Sequence, residues 1–158
     1  MNVYVNISGG LGNQMFQYAL YEKLKYIGRN VLIDDYELLK KGNGHNGLEL
    51  KRVFNIEYKS GGFRGECVLY VTRAINKMKR LLYGQSALAT DAIYSNYHED
   101  VFRNKCGSLF GVFQSSRYFD DISDIIMECF TFPEIKGKRN VGLYDTITGE
   151  TDSVSIHL

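Results

Sequence analysis

NVYVNISGGLGNQMFQYA, residues 2–19, changes its hydrophobic period part-way along. Residues 2–7 alternate polar and apolar side chains, the pattern of a half-buried strand. Glycines at 9, 10 and 12 follow, and they give the backbone freedom at an entropic cost. From Asn13 to about Tyr26 the apolar residues Met15, Phe16, Ala19, Leu20, Leu24 and Ile27 fall at helical spacing. Asn13 is placed to act as N-cap and Gly28 as the left-handed stop. Val31–Ile33 then read as a second buried strand ending in Asp34 and Asp35. Strand, glycine loop, helix and strand in succession make a βαβ unit, so the expected fold class is α/β with a parallel, Rossmann-like sheet.

The loop Ser8–Gly12 admits two readings. In one, its backbone N–H groups and the helix N-terminus approach a phosphate or sugar hydroxyls. In the other it is a tight strand-to-helix turn. Gly10-x-Gly12 supplies half of a dinucleotide fingerprint, because Met15 stands where a third Gly or Ala belongs. Asp34 or Asp35 falls where a ribose-binding acid would lie, although such acids also end strands for turn reasons. Spacing alone leaves both readings open.

The 158 residues fit one domain of ordinary size, and 44% hydrophobic content with 12 Tyr and 9 Phe excludes a disordered chain. Nineteen basic against 18 acidic side chains leave +1, without the basic excess of a nucleic-acid binder. Cys67, Cys106 and Cys129 are widely spaced and form no zinc motif, as expected of free thiols in a reducing compartment. The chain opens on no signal-peptide pattern and contains no apolar run of spanning length, so a cytoplasmic location is expected.

Further along, residues 41–62 are polar, with a short element at Leu48–Phe54. Val68–Leu82 read as a helix whose Arg73, Lys77, Lys79 and Arg80 form a basic face. That face is suited to solvent or to weak peripheral contact with anionic lipid. Leu109–Phe113 suggest a buried strand, and Asp120–Phe130 a helix capped by Asp121 or Ser123 and closed before Pro133. Residues 134–152 read as a charged connector, and 153–158 as a strand.

Four collinear stretches carry a resemblance. Gly9-Gly-Leu-Gly-Asn-Gln-Met-Phe-Gln-Tyr-Ala19 resembles the N-terminal signature of the alpha-1,2-fucosyltransferases of glycosyltransferase family 11. His45-Asn-Gly-Leu-Glu-Leu-Lys-Arg-Val-Phe54 resembles the family's His-x-Gly-(Phe)-Glu-Leu segment, and Gly111-Val-Phe-Gln-Ser-Ser-Arg-Tyr-Phe119 its Gly-Tyr-Phe-Gln-Ser-x-x-Tyr-Phe segment. Val154-Ser-Ile-His157 is similar to the start of its His-x-Arg-Arg-Gly-Asp-Tyr motif.

The resemblance implies a two-lobed GT-B-type enzyme. Residues 1–133 would form its N-terminal lobe, and 134–158 a connector plus the first strand of the donor-binding lobe. It also implies that the paired arginines holding the donor's pyrophosphate would follow Leu158, so that this chain is a truncated, inactive and self-associating lobe. The implied reaction moves L-fucose from GDP-fucose to the 2-hydroxyl of a β-galactoside, without a metal; no Asp-x-Asp motif occurs in the sequence. Gly10, Gly12, Asn13 and Gln14 would approach the donor, and Gln114 and Ser115 would line the cleft. His45 is the candidate general base, its ordinary pKa lying near neutrality. His157 would contact the donor or orient the arginine segment. The competing reading is a non-catalytic carbohydrate- or nucleotide-binding module.

Overall fold

The computed structural model describes residues 2–39, 46–83, 97–103 and 105–154. His45 and His157 lie outside them. Strand β1 (Val3–Asn6) is buried at every position. Helix α1 (Leu11–Tyr26) returns the chain to β2 (Val31–Asp34), and the two strands pair in parallel with Val3 opposite Val31. Short helices α2 (Tyr36–Leu39) and α3 (Glu49–Phe54) follow, then the long α4 (Gly62–Tyr83). β3 (Gly107–Leu109) pairs in parallel on the other side of β1, giving the strand order β2-β1-β3. The α/β expectation is met by a small, all-parallel sheet.

The period-two alternation of β1 explains the layers. Val3, Val5 and Ile7 join Tyr18, Leu20, Tyr21 and Leu24 of α1 in the main core cluster. On the alternate positions, Asn6 bonds Asp34, whose side chain lies against Gly65 of α4, and the Tyr4 ring lies against Gly61 just before that helix. Helices therefore cover both faces, as parallel strands require. Gly61 and Gly65 are close-approach positions. A β-carbon at Gly61 would stand 2.8 Å from the Tyr4 ring, and one at Gly65 3.0 Å from Asp34 Cβ.

Several expected elements shift. Gly10, not Asn13, is the N-cap of α1, and Asn13 lies inside the first turn. Gly28 does end that helix, at φ +77°. β3 closes at Leu109 rather than running to Phe113, because Phe113 turns the chain at φ +49° while its ring stays buried. The expected helix over 120–130 begins as a 3-10 turn, Asp120–Ile122, and continues as α5 (Ser123–Cys129). Ile122 stands at its N-cap, and neither Asp121 nor Ser123 caps it; the Asp121 carboxylate instead pairs with Lys23 of α1. The charged stretch after Pro133 forms a further helix, α6 (Lys138–Gly149), none of whose residues is buried. Ser153 and Val154 are irregular, and residues 155–158 of the expected closing strand lie outside the described residues.

Candidate functional site

Strand order locates the site. The chain runs from β1 to β2 on one side and later to β3 on the other, so the topology switches between β1 and β3. In open parallel sheets the ligand crevice opens at such a point, outside the carboxyl ends of the strands. The segments leaving those two ends are Ser8–Gly10 and Phe110–Ser115. They are the same two segments that the sequence singles out by their glycines and by Gln114 and Ser115.

Four amide side chains organise this end of the sheet, three of them on α1. Asn13 Oδ1 accepts a hydrogen bond from Gln114 Nε2 at 2.8 Å, across the crevice and in contact with solvent. One turn deeper, Gln17 is fully buried. Its Oε1 accepts from the Ser8 backbone N–H at 2.9 Å, and its Nε2 donates to Gly111 O at 2.7 Å and to Ser8 Oγ at 3.2 Å. Gln14 is also fully buried. Its Nε2 donates to Gly9 O and Gly47 O, both at 2.9 Å, and its Oε1 accepts from Glu49 N–H at 2.9 Å. Gln14 thus satisfies an orphan N–H at the start of α3, where no side chain of the N-cap residue does so.

These bonds sort the expected site residues by position. Gly10 and Gly12 flank the helix start, with Gly12 exposed. Gly9, at φ +78°, leaves room for the carboxamide of Asn13, whose Nδ2 would stand 2.6 Å from a β-carbon there. Asn13, Gln114 and Ser115 are at least partly exposed beside one another on the rim, whereas Gln14 lies beneath it. Gln17 was not among the residues picked out from the sequence. Its one available signal is that Gln14 and Gln17, three residues apart, share a helix face with apolar neighbours.

The N-terminus of α1 has no side-chain cap and no acidic residue in its first turn. Its first N–H groups and the positive end of the helix dipole therefore remain suited to an anionic or hydroxyl-rich ligand. Beside Gly12 opens an apolar hollow of about 220 Å³, lined by Met15, Phe16, Ala19, Phe119, Ile126 and Phe130.

Asp34 and Asp35 do not serve as exposed ribose-binding acids. Asp34 is buried and accepts from Asn6 Nδ2 at 3.2 Å. Burial pushes its carboxyl above the usual carboxylate range, outweighing the hydrogen bonds that favour its charge. Asp35 is buried and accepts from Tyr58 OH at 2.9 Å and Ser60 Oγ at 2.7 Å. Burial, and after it the bond to Asp35, raise the Tyr58 hydroxyl well above its ordinary value, so it stays a donor. Among the described residues no group of three His, Cys, Asp or Glu side chains is gathered to hold a metal. No helix among them is long and apolar enough to cross a membrane.

An amide-lined rim at a switch point suits a polyhydroxylated ligand. The chain is a distant homologue of glycosyltransferases. It is 30% identical over 150 residues to the O-antigen biosynthesis glycosyltransferase WbnK of Escherichia coli, covering 84% of this chain and 49% of that protein. It is 28% identical over 161 residues to an alpha-1,2-colitosyltransferase of Escherichia coli, covering 99% of this chain and 53% of that protein. The chain thus spans about half the length of these relatives. No family model matches it, and no solved structure matches it significantly.

Proposed function

We propose that this chain forms the N-terminal lobe of an inverting glycosyltransferase that moves L-fucose, or the related sugar colitose, from its GDP-activated form to the 2-hydroxyl of a β-galactoside. The observation that carries this reading is the similarity over nearly the whole chain to an alpha-1,2-colitosyltransferase. The resemblance of four stretches to the alpha-1,2-fucosyltransferases points the same way.

In the reaction the acceptor oxygen bonds to the anomeric carbon while the bond from that carbon to the diphosphate oxygen breaks. The hydroxyl proton passes to a base, for which His45 is the candidate. The leaving diphosphate gains negative charge. In this reading the charge is met by the N-terminal N–H groups of α1 and by donor-binding arginines that His157 helps to orient. Gly10 and Gly12 admit the donor close to the backbone, and Asn13, Gln114 and Ser115 hold sugar hydroxyls. Gln14 supports the loop from beneath, and no metal takes part.

The full reading frame carrying this sequence, supplied with lactose and with GDP-fucose or GDP-colitose in turn, tests the proposal. Transfer to the galactose 2-hydroxyl from one of the two donors is the expected result. Colitose lacks the 3-hydroxyl of fucose, and a site that hydrogen-bonds this group separates the two by about 10⁴-fold. No transfer from either donor, with the protein folded, refutes the assignment.

A further inference from the structure

The same helix holds the segment after β3 at two points, and they differ in kind. Asn13 and Gln17 are one turn apart on α1 and share a face. Gly111 and Gln114, their partners, are three residues apart on the facing segment. The Gln17 side chain is fully buried and uses both ends of its amide, so the Ser8 N–H and Gly111 O are gripped by one side chain. The Asn13–Gln114 contact is solvent-exposed and is one hydrogen bond, donated by Gln114 Nε2 and accepted by Asn13 Oδ1. Each of those amides has further donor and acceptor capacity to offer a ligand. Between the two points the chain is bent by the left-handed Phe113, whose backbone carbonyl accepts from Ser115 N–H at 2.8 Å.

We infer that Gln17 is the positioning residue of this site, tying the two strand ends together so that the Asn13–Gln114 amide pair can open to sugar hydroxyls without losing its register. Left-handed backbone at a bulky residue is strained and persists where its surroundings over-determine it. The Gly111 anchor on one side and the buried Phe113 ring, packed edge-on to Tyr118 at 5.8 Å, supply that constraint. The pair's role as a hydroxyl fork rests on the glycosyltransferase reading; the anchoring by Gln17 does not.

Side-chain amide exchange followed by NMR tests the inference. In the unsubstituted chain the Gln17 amide protons should exchange about 100-fold more slowly than those of Gln114, and equal rates overturn the anchor. Gln17→Glu replaces the donor to Gly111 with a repelling carboxylate while leaving an acceptor for Ser8 N–H. At neutral pH this variant should lose the hydrogen-bonded Gln114 amide signal. Acidification that protonates the new carboxyl restores a donor and should restore the signal, an outcome that a merely space-filling Gln17 would not produce. A Gln114 signal unchanged by the substitution at every pH overturns the inference. Protection of Glu49 N–H by Gln14 reports that the variant is folded, and the unsubstituted-chain comparison decides the matter if it is not. Addition of GDP-fucose and lactose to the full reading frame should then shift the Asn13 and Gln114 amides and leave Gln17 in place. A protected Gln17 with an unresponsive Asn13 and Gln114 refutes the hydroxyl-fork reading while the anchor stands.

Discussion

Helices α1 and α6 share a similar make-up and differ in almost everything else. Each contains an internal glycine, aromatic and branched apolar residues, and lysine or arginine. Yet α1 buries eight of its residues, two of them glutamines and one a glutamate, whereas α6 buries none. Val141, Leu143, Tyr144 and Ile147 of α6 are all exposed. The difference shows that burial here is set by topology. α1 crosses between two parallel strands and is held against β1 and β2, so even its polar residues are enclosed and must find partners. α6 follows β3, and no strand comes after it among the described residues.

The largest effect that sharpens this contrast is truncation in the core. Leu24→Ala, at a fully buried α1 position, should cost about 2–5 kcal/mol in denaturant unfolding. A loss below about 1 kcal/mol would mean that the α1–sheet interface is looser than described. Next comes Gly61→Ala, which would press a methyl group against the Tyr4 ring and should cost about 1–3 kcal/mol by the same measurement.

A smaller effect follows from Asp34. Its carboxyl titrates above the ordinary 3.8 in the folded chain because burial disfavours the charge. The folded state therefore holds that proton more tightly than the unfolded state. The stability linked to it is present below pH 3.8 and is lost as pH rises through the higher folded value. Asp34→Asn keeps an acceptor for Asn6 and removes the buried charge. It should raise the melting temperature at pH 7, by an amount that shrinks on acidification. A lower melting temperature at pH 7 would show that the Asp34 charge is used. The smallest effect belongs to α6: Leu143→Ala, at a side chain 61% exposed, should change stability by no more than about 0.5 kcal/mol.

Legibility in the sequence followed the same division. The alternation of residues 2–7, the helical spacing after them and Gly28 sufficed to place β1, α1 and β2, because each signal is local. The start of α4 was less visible, since Gly62 and Gly65 weaken helical propensity; Gly62 is explained only by its φ of +50°, and Gly65 only by Asp34 packing against it. Leu109–Phe113 read as a strand because five residues with apolar members carry no mark of the left-handed turn at Phe113. Of the candidate site, the two loops and Asn13, Gln114 and Ser115 were visible as motif residues. Their adjacency was not, because the Asn13–Gln114 contact spans about a hundred residues of chain. Gln17 escaped for a related reason: a buried glutamine is distinguishable from an exposed one only through its partners, and Gly111 lies 94 residues away.

The most direct measurement is the kcat/KM of the proposed transfer of fucose or colitose to lactose by the full reading frame, compared with its Asn13→Ala and Gln114→Ala variants. Both substitutions lie on the rim and should leave the fold intact, while each lowers kcat/KM by about 10-fold or more through a lost hydrogen bond to a sugar hydroxyl. Unchanged kcat/KM in both variants would contradict the placement of the sugar site at the carboxyl ends of β1 and β3.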